Sequence, residues 1–272
     1  MKHFFKALCL TILLWSCHHK NDYQQIFNDP HLYAYTVHEL NRVVMGNNFS
    51  PIVASRNYTY ANIAAYEVIA AGYPGQYQTL AGQIKELSTL PRPPAGKVVN
   101  YPFASLLAFC TLGEAVTYPK GSMQDYTDSL KSLAKDHGMP LEEYENSLAY
   151  AESVSRAIMD WAQKDKYKET RGMAEFMINN NDSSRWVPTP PGYDQAMEPN
   201  WKMMRCLVMD SCTQFVPPPP YTFNMKDKHS DYYKQVMYLK NTVDNMTPEQ
   251  KHIADFWDDN PFKLNVSGHV MY

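Results

Sequence analysis

The plainest chemistry in the chain belongs to Cys17, which follows Leu14-Trp15-Ser16. A leucine three places before a cysteine, with a small residue between, has the layout of a bacterial lipobox. There the cysteine thiol takes a diacylglycerol, the chain is cut before that cysteine, and acyl chains hold the protein on a bilayer. Met1, Lys2, His3 and Lys6 supply a cationic start, and Ala7 to Trp15 supply an apolar run. That order is a signal peptide, and the run falls short of the ~20 apolar residues that span a membrane. The expectation is a signal peptide over 1–16, lipid attachment at Cys17 and a tether over 17–30, with the membrane as partner. The location is the bacterial cell envelope, facing periplasm or cell surface. His18 and His19 sit side by side in this leader, where they cannot face one ion with other ligands fixed around it, and read as spacer.

Other reactive residue types are scattered. Glu249-x-x-His252 matches half of a di-iron helix motif, and Glu67 and Glu114 could add carboxylates, but no second Glu-x-x-His exists. The preferred reading is a solvated helix face. No glycine-rich phosphate loop, His-Glu-x-x-His or nucleophile elbow is present, so the sequence assigns no metal site. Beyond Cys17 only Cys110, Cys206 and Cys212 remain, which allows at most one intrachain disulfide. If residues 201–212 are helical, Cys206 and Cys212 lie ~9 Å of rise apart and point in different directions. Three buried thiols are therefore expected. A net charge of −3 without a basic block argues against a nucleic-acid partner.

The elements that must position these residues are helices. Leu141, Tyr144, Leu148, Ala151, Val154, Ile158 and Trp161 recur every three or four residues. Pro140 sits where a missing N–H costs nothing, and Glu142, Glu143 and Glu145 complement the helix dipole. Residues 31–45 form a second amphipathic helix. Residues 52–71 are apolar nearly all round, which suits a central helix packed from several sides. Further helices are expected near 99–117, 122–137, 229–244 and 248–259. The last opens with a capping box, Thr247 as N-cap, Pro248 as first helical residue and Gln250 three beyond the cap. Pro91–Pro94, Pro188–Pro191 and Pro217–Pro220 mark crossings. The 272-residue chain is 44% hydrophobic and 19% charged, and the roughly 250 residues after the leader can bury a substantial core. The fold class is all-α, a helical bundle with proline-rich crossing loops, extending as a helical domain over 31–272.

Three blocks carry a family likeness. They are Arg185-Trp186-Val187-Pro188-Thr189-Pro190-Pro191 with Glu198-Pro199-Asn200-Trp201 and Phe215-Val216-Pro217-Pro218-Pro219-Pro220; Thr247 through Trp257; and the Tyr60–Glu67 helix ahead of both. In that order they resemble the N-terminal half of bacterial vanadium-dependent haloperoxidase-related proteins, of the type-2 phosphatidic acid phosphatase superfamily. The resemblance implies a vanadate or phosphate cradle built from lysine, two arginines, backbone amides of a Ser-Gly-His turn and two histidines. Several fixed cations and donors offset the charge of a tetrahedral oxyanion, while one histidine attacks or coordinates and another moves a proton. The family's motifs K-x6-R-P, P-S-G-H and S-R-x5-H-x3-D all belong to its C-terminal half. Here Lys85 to Arg92-Pro93 matches the first far upstream, in a proline-rich connection. Ser267-Gly268-His269 lacks the proline before it, and Ser55-Arg56, Ser155-Arg156 and Ser184-Arg185 lack the spaced histidine. These matches read as accidental, so no catalytic or cofactor-binding residue is assigned.

The reading is therefore the N-terminal helical portion of a phosphatase- or haloperoxidase-like envelope lipoprotein, catalytically silent as this chain. Its catalytic half is absent, its implied partner is a separately encoded C-terminal half, and vanadate or phosphate would enter only with that half. The choice between phosphatase and haloperoxidase stays open. The rival reading is a non-enzymatic surface lipoprotein that binds glycan or a partner protein through exposed aromatics; grouped, open aromatic rings would favour it, and buried ones the enzyme portion. For the anchor, Cys17→Ala is expected to abolish acylation and leave the precursor uncut before residue 17. Mass spectrometry of the wild-type N-terminus checks this, and a mature terminus elsewhere without acyl mass on Cys17 contradicts it.

Overall fold

The computed structural model describes residues 21–190 and 192–258. The signal segment, Cys17 and Ser267-Gly268-His269 lie outside the described residues. Nine α-helices and no strand occur among those that are described, so the fold is all-α. The chain divides into two compact units, one ending at Asp165 and the other beginning at Lys166.

The first unit is organised around one helix. In chain order it has α1 (Tyr23–Phe27), α2 (Pro30–Gly46), α3 (Pro51–Gly72), α4 (Tyr101–Val116), α5 (Gln124–Asp136) and α6 (Leu141–Ala162). Residues Phe103 to Cys110 of α4 are buried without a break. More than two turns without a polar face require neighbours on every side, and α2, α3, α5 and α6 all pack against α4. The apolar stretch 52–71 forms α3, which packs on α4 and α6 and is bonded to α2 through Tyr33–Asn62 and Tyr58–Asn41, as a helix covered from several sides. Gly72, the last residue of α3, faces Tyr101; a Cβ there would lie 2.2 Å from the tyrosine ring. A polar cap followed by proline starts several helices: Asp29 before Pro30, Ser50 before Pro51, Asn100 two places before Pro102. Each cap side chain accepts an N–H that the first turn leaves open.

The tether expected over 17–30 does not extend that far. Tyr23 and Phe27 are buried, Phe27 packs on Phe103 at 4.9 Å between ring centroids, and the Tyr23 hydroxyl donates to Glu143 at 2.9 Å. A tyrosine and a phenylalanine four residues apart share one helix face, so even a short helix gains by laying that face on the bundle. Glu143 thereby does more than complement a dipole. Its other oxygen accepts from Asn100 Nδ2, whose own N–H donates to Ser147 Oγ at 2.8 Å, so one buried node joins α1, the start of α4 and α6.

At the far end of the unit, Asp165 accepts from Arg56 Nε at 2.7 Å and from the Tyr60 hydroxyl at 2.8 Å. The Arg56 side chain is 10% exposed and that of Asp165 1%. Tyr60 also meets Trp161 edge to face. This cluster ties Asp165, three residues beyond the end of α6, back to α3.

The second unit contains α7 (Tyr167–Thr170), a 3-10 turn at Trp201–Met203, α8 (Asp231–Asp244) and α9 (Pro248–Phe256). The capping box at Thr247 and Gln250 forms as expected. Arg171 holds Glu198 through a forked pair and lies over the Tyr167 ring, which meets Trp201. Yet Thr170 is the one buried side chain among the described residues of this unit. Trp186 and Trp257 are 48% and 62% exposed, and α8 leaves Tyr238 and Leu239 open. Cys110 is buried, but Cys206 is half-buried and Cys212 exposed. The expectation of three buried thiols fails because residues 204–212 are turns, not a helix packed into a core.

Removing one member of a buried ion pair strands the other, at a cost of roughly 3–5 kcal/mol. Asp165→Ala is expected to lower the urea-unfolding stability of the first unit by about that much. The joint exchange Arg56→Met with Asp165→Leu is expected to lose clearly less. Equal losses in the two variants would show that packing, not charge pairing, makes this junction.

Candidate functional site

Two of the three acidic residues that could have done chemistry, Glu67 and Glu114, are committed to holding connections of the chain. Glu67, 3% exposed on α3, accepts from the Thr79 hydroxyl at 2.6 Å and the Leu80 N–H at 2.6 Å, and so fixes the connection after α3. Glu114 on α4 accepts the N–H groups of Gly121 and Met123, fixing the turn before α5. Glu249 and His252 lie exposed on α9. Among the described residues no group of three or more His, Cys, Asp or Glu side chains could hold a metal.

The basic residues are mostly spent too. Arg56 pairs with Asp165, Arg156 with Glu152 and Arg185 with Asp182, which accounts for the three Ser-Arg dipeptides. The upstream K-x6-R-P match lies in the connection 73–99. Arg92 is exposed there and lines a cleft of about 820 Å³ with Lys97, Tyr101 and Tyr150, whereas Lys85 is not among its lining residues. The carbonyl of Lys85 instead accepts the Trp161 indole N–H at 3.0 Å.

The vanadate or phosphate cradle that the family resemblance implies pairs its cations with histidine. No histidine lines this cleft or its neighbour, and the sequence supplies no S-R-x5-H-x3-D. The described residues therefore do not assemble the cradle that the resemblance implies. Cys110 is equally unsuited to nucleophilic work: burial pushes its thiol up to about 12, so it stays protonated at neutral pH.

The second cleft is of a different kind. It measures about 700 Å³ and runs between the α1–α2 junction, the middle of α3, residues Tyr73–Tyr77 and the first turns of α4. Phe27, Ile69 and Leu106 form an apolar floor. Tyr33, with its hydroxyl donating to Asn62 Oδ1 at 2.8 Å, packs edge-on against Phe109, and burial raises it to about 12. Tyr66 is held by donation to the Gln78 carbonyl at 2.8 Å. Asp29 stands at the mouth, its carboxyl held below the usual range by the His31 backbone N–H and then by the His31 ring. No lysine, arginine or histidine lines the cleft; its polar groups are hydroxyls, amides and the Asp29 carboxylate, a set suited to hydrogen-bonding a ligand.

Sequence reasoning missed this cleft. Its four tyrosines, at 33, 66, 73 and 77, lie on three different segments, and only Tyr73 and Tyr77 are close along the chain.

A solved structure described as that of the first bacterial vanadium-dependent iodoperoxidase is similar to this chain, with 34% identity and a TM-score of 0.79. The match covers 86% of this chain and 56% of that protein, so the chain spans little more than half of the relative's length. No protein-family model matches the chain. No curated protein sequence matches it either.

Proposed function

We propose, from this vanadium haloperoxidase-like fold, that the chain is the N-terminal helical portion of an envelope-anchored enzyme whose oxyanion-binding half is supplied by other sequence. The observation that carries the reading is the extent of the likeness. It takes in most of this chain and only 56% of the iodoperoxidase, while all three oxyanion motifs implied by the family resemblance are missing in usable form. On this reading the chain alone is inactive. The anchor at Cys17 places the assembled enzyme on a membrane of the cell envelope, facing periplasm or cell surface.

The physical role left to this chain is scaffolding. Its first unit is a packed core around α4. Its second unit offers α8 and α9 with Tyr238, Leu239, Val243, Ile253 and Trp257 each at least half exposed. Open apolar faces of that kind suit burial by another folded half. Vanadate shares the shape and charge of phosphate, so halide oxidation and phosphoester hydrolysis both remain compatible with such a half. The iodoperoxidase likeness favours peroxide-dependent iodide oxidation. The rival reading, a binding protein, is favoured at one place: the open tyrosine-lined cleft of the first unit.

Vanadium NMR and an iodide oxidation assay with peroxide provide the test. The purified chain is expected to leave the vanadate signal unbroadened and to oxidise iodide no faster than buffer. Mixing it with a C-terminal half bearing K-x6-R-P, P-S-G-H and S-R-x5-H-x3-D is expected to restore both. Vanadate binding or turnover by the chain alone would overturn the reading.

A further inference from the structure

The tyrosine-lined cleft of the first unit combines features that narrow its ligand. Tyr66 and Tyr73 stand at 77° and 83° to Tyr77, each with ring centroids 6.4 Å from it. Tyr77 is 47% exposed, so much of this rigid ring is open to a ligand. Between the rings and the mouth lie groups with hydrogen-bonding capacity to spare. The hydroxyls of Tyr73 and Tyr77 and the Gln76 amide make no side-chain hydrogen bond among the described residues. Both contacts from His31 go to one oxygen of Asp29, leaving the other open.

Each excluded ligand class follows from these groups. No lysine, arginine or histidine lines the cleft, and its one charged group is a carboxylate, so phosphate, sulfate and acidic sugars are repelled. A wholly apolar ligand would strip water from Gln76 and Asp29 and return no hydrogen bond. A small cation finds the carboxylate already offset, because Asp29 caps α2 and is bonded to His31. What remains is a neutral molecule with an apolar face for the tyrosine rings and a hydroxyl-bearing edge for the amide, carboxylate and phenols. A sugar ring has that build. A volume of about 700 Å³ falls in the ~300–1,000 Å³ range of small-molecule sites.

We infer that this cleft is a binding site for a neutral oligosaccharide, with a sugar ring stacked on Tyr77 and its hydroxyls bonded by Gln76 and Asp29. The inference rests on the cleft alone. It deepens the binding reading and stands or falls separately from the vanadium haloperoxidase-like one, since the assay needs neither vanadate nor a second half.

Saturation-transfer NMR on the whole chain tests it. The neutral probes are the methyl glycosides of glucose, galactose, mannose and N-acetylglucosamine and the β-1,4-linked dimers of these sugars, with sialic acid and choline as charged comparators. At least one neutral probe is expected to give a saturable signal through its ring C–H protons. Tyr77→Ala and Gln76→Ala are each expected to weaken it by about tenfold, and Tyr238→Ala in the other unit is expected to leave it unchanged. Circular dichroism and the melting temperature accompany each variant. If Tyr77→Ala loses structure, Gln76→Ala, which alters an exposed side chain, decides. The inference is overturned if no neutral probe saturates, if only choline or sialic acid binds, or if a folded Tyr77→Ala or Gln76→Ala chain binds as the parent does.

Discussion

A helix with no polar face is the constraint from which the rest of the first unit follows. Phe103 to Cys110 turn apolar or small side chains in every direction, and no arrangement short of a surrounding bundle hides them from water. Four helices supply the wrap. Alanines 61, 64 and 65 on α3 and Gly113 on α4 are fully or almost fully buried at close approaches. Gly113 is so near Leu40 that a Cβ would lie 3.1 Å from its side chain.

Four carboxylates, those of Glu67, Glu143 and Asp165 buried and that of Glu114 half-buried, then fix how the wrap is connected. Glu67 holds the chain leaving α3, Glu114 the turn into α5, Glu143 the meeting of α1, α4 and α6, and Asp165 the exit from α6. Each accepts at least two hydrogen bonds, so each is satisfied by the architecture it holds. Acidic residues that seem free to act when read along the chain are thus consumed by its architecture. What stays open in this unit are the tyrosine-lined cleft and the cleft beside Arg92 and Lys97.

Much of this was legible in the sequence, for physical reasons that can be named. The period of Leu141 to Trp161 survives in a 22-residue helix, and the Thr247 capping box closes as its spacing requires. Helix α1 was not legible: five residues are too few for periodicity to register, and its stability comes from Phe103 and Glu143, far away in the chain. The stretch 52–71, apolar nearly all round, is covered from several sides as α3, while the still more deeply buried α4 is distinguished from it only by contacts. The turns over 204–212 defeated the expectation for the cysteines, since burial of a thiol depends on a core that the local sequence does not announce. The cleft was illegible because its walls come from separate segments, joined only when α2, α3 and α4 pack.

The two units differ in one physical respect, and the functional account depends on it. The first buries its apolar residues within itself; the second, with Thr170 alone buried among its described side chains, carries helices whose apolar faces remain open. Local opening free energy follows buried apolar contact. Hydrogen exchange followed by mass spectrometry on the isolated chain is therefore the most direct measurement. Amides of α4 and α6 are expected to exchange slowest, at rates set by global unfolding, and those of α8 and α9 within minutes, until a second half is added and slows them. Protection of α8 and α9 equal to that of α4 in the chain alone would contradict the account, because the second unit would then be complete without a partner.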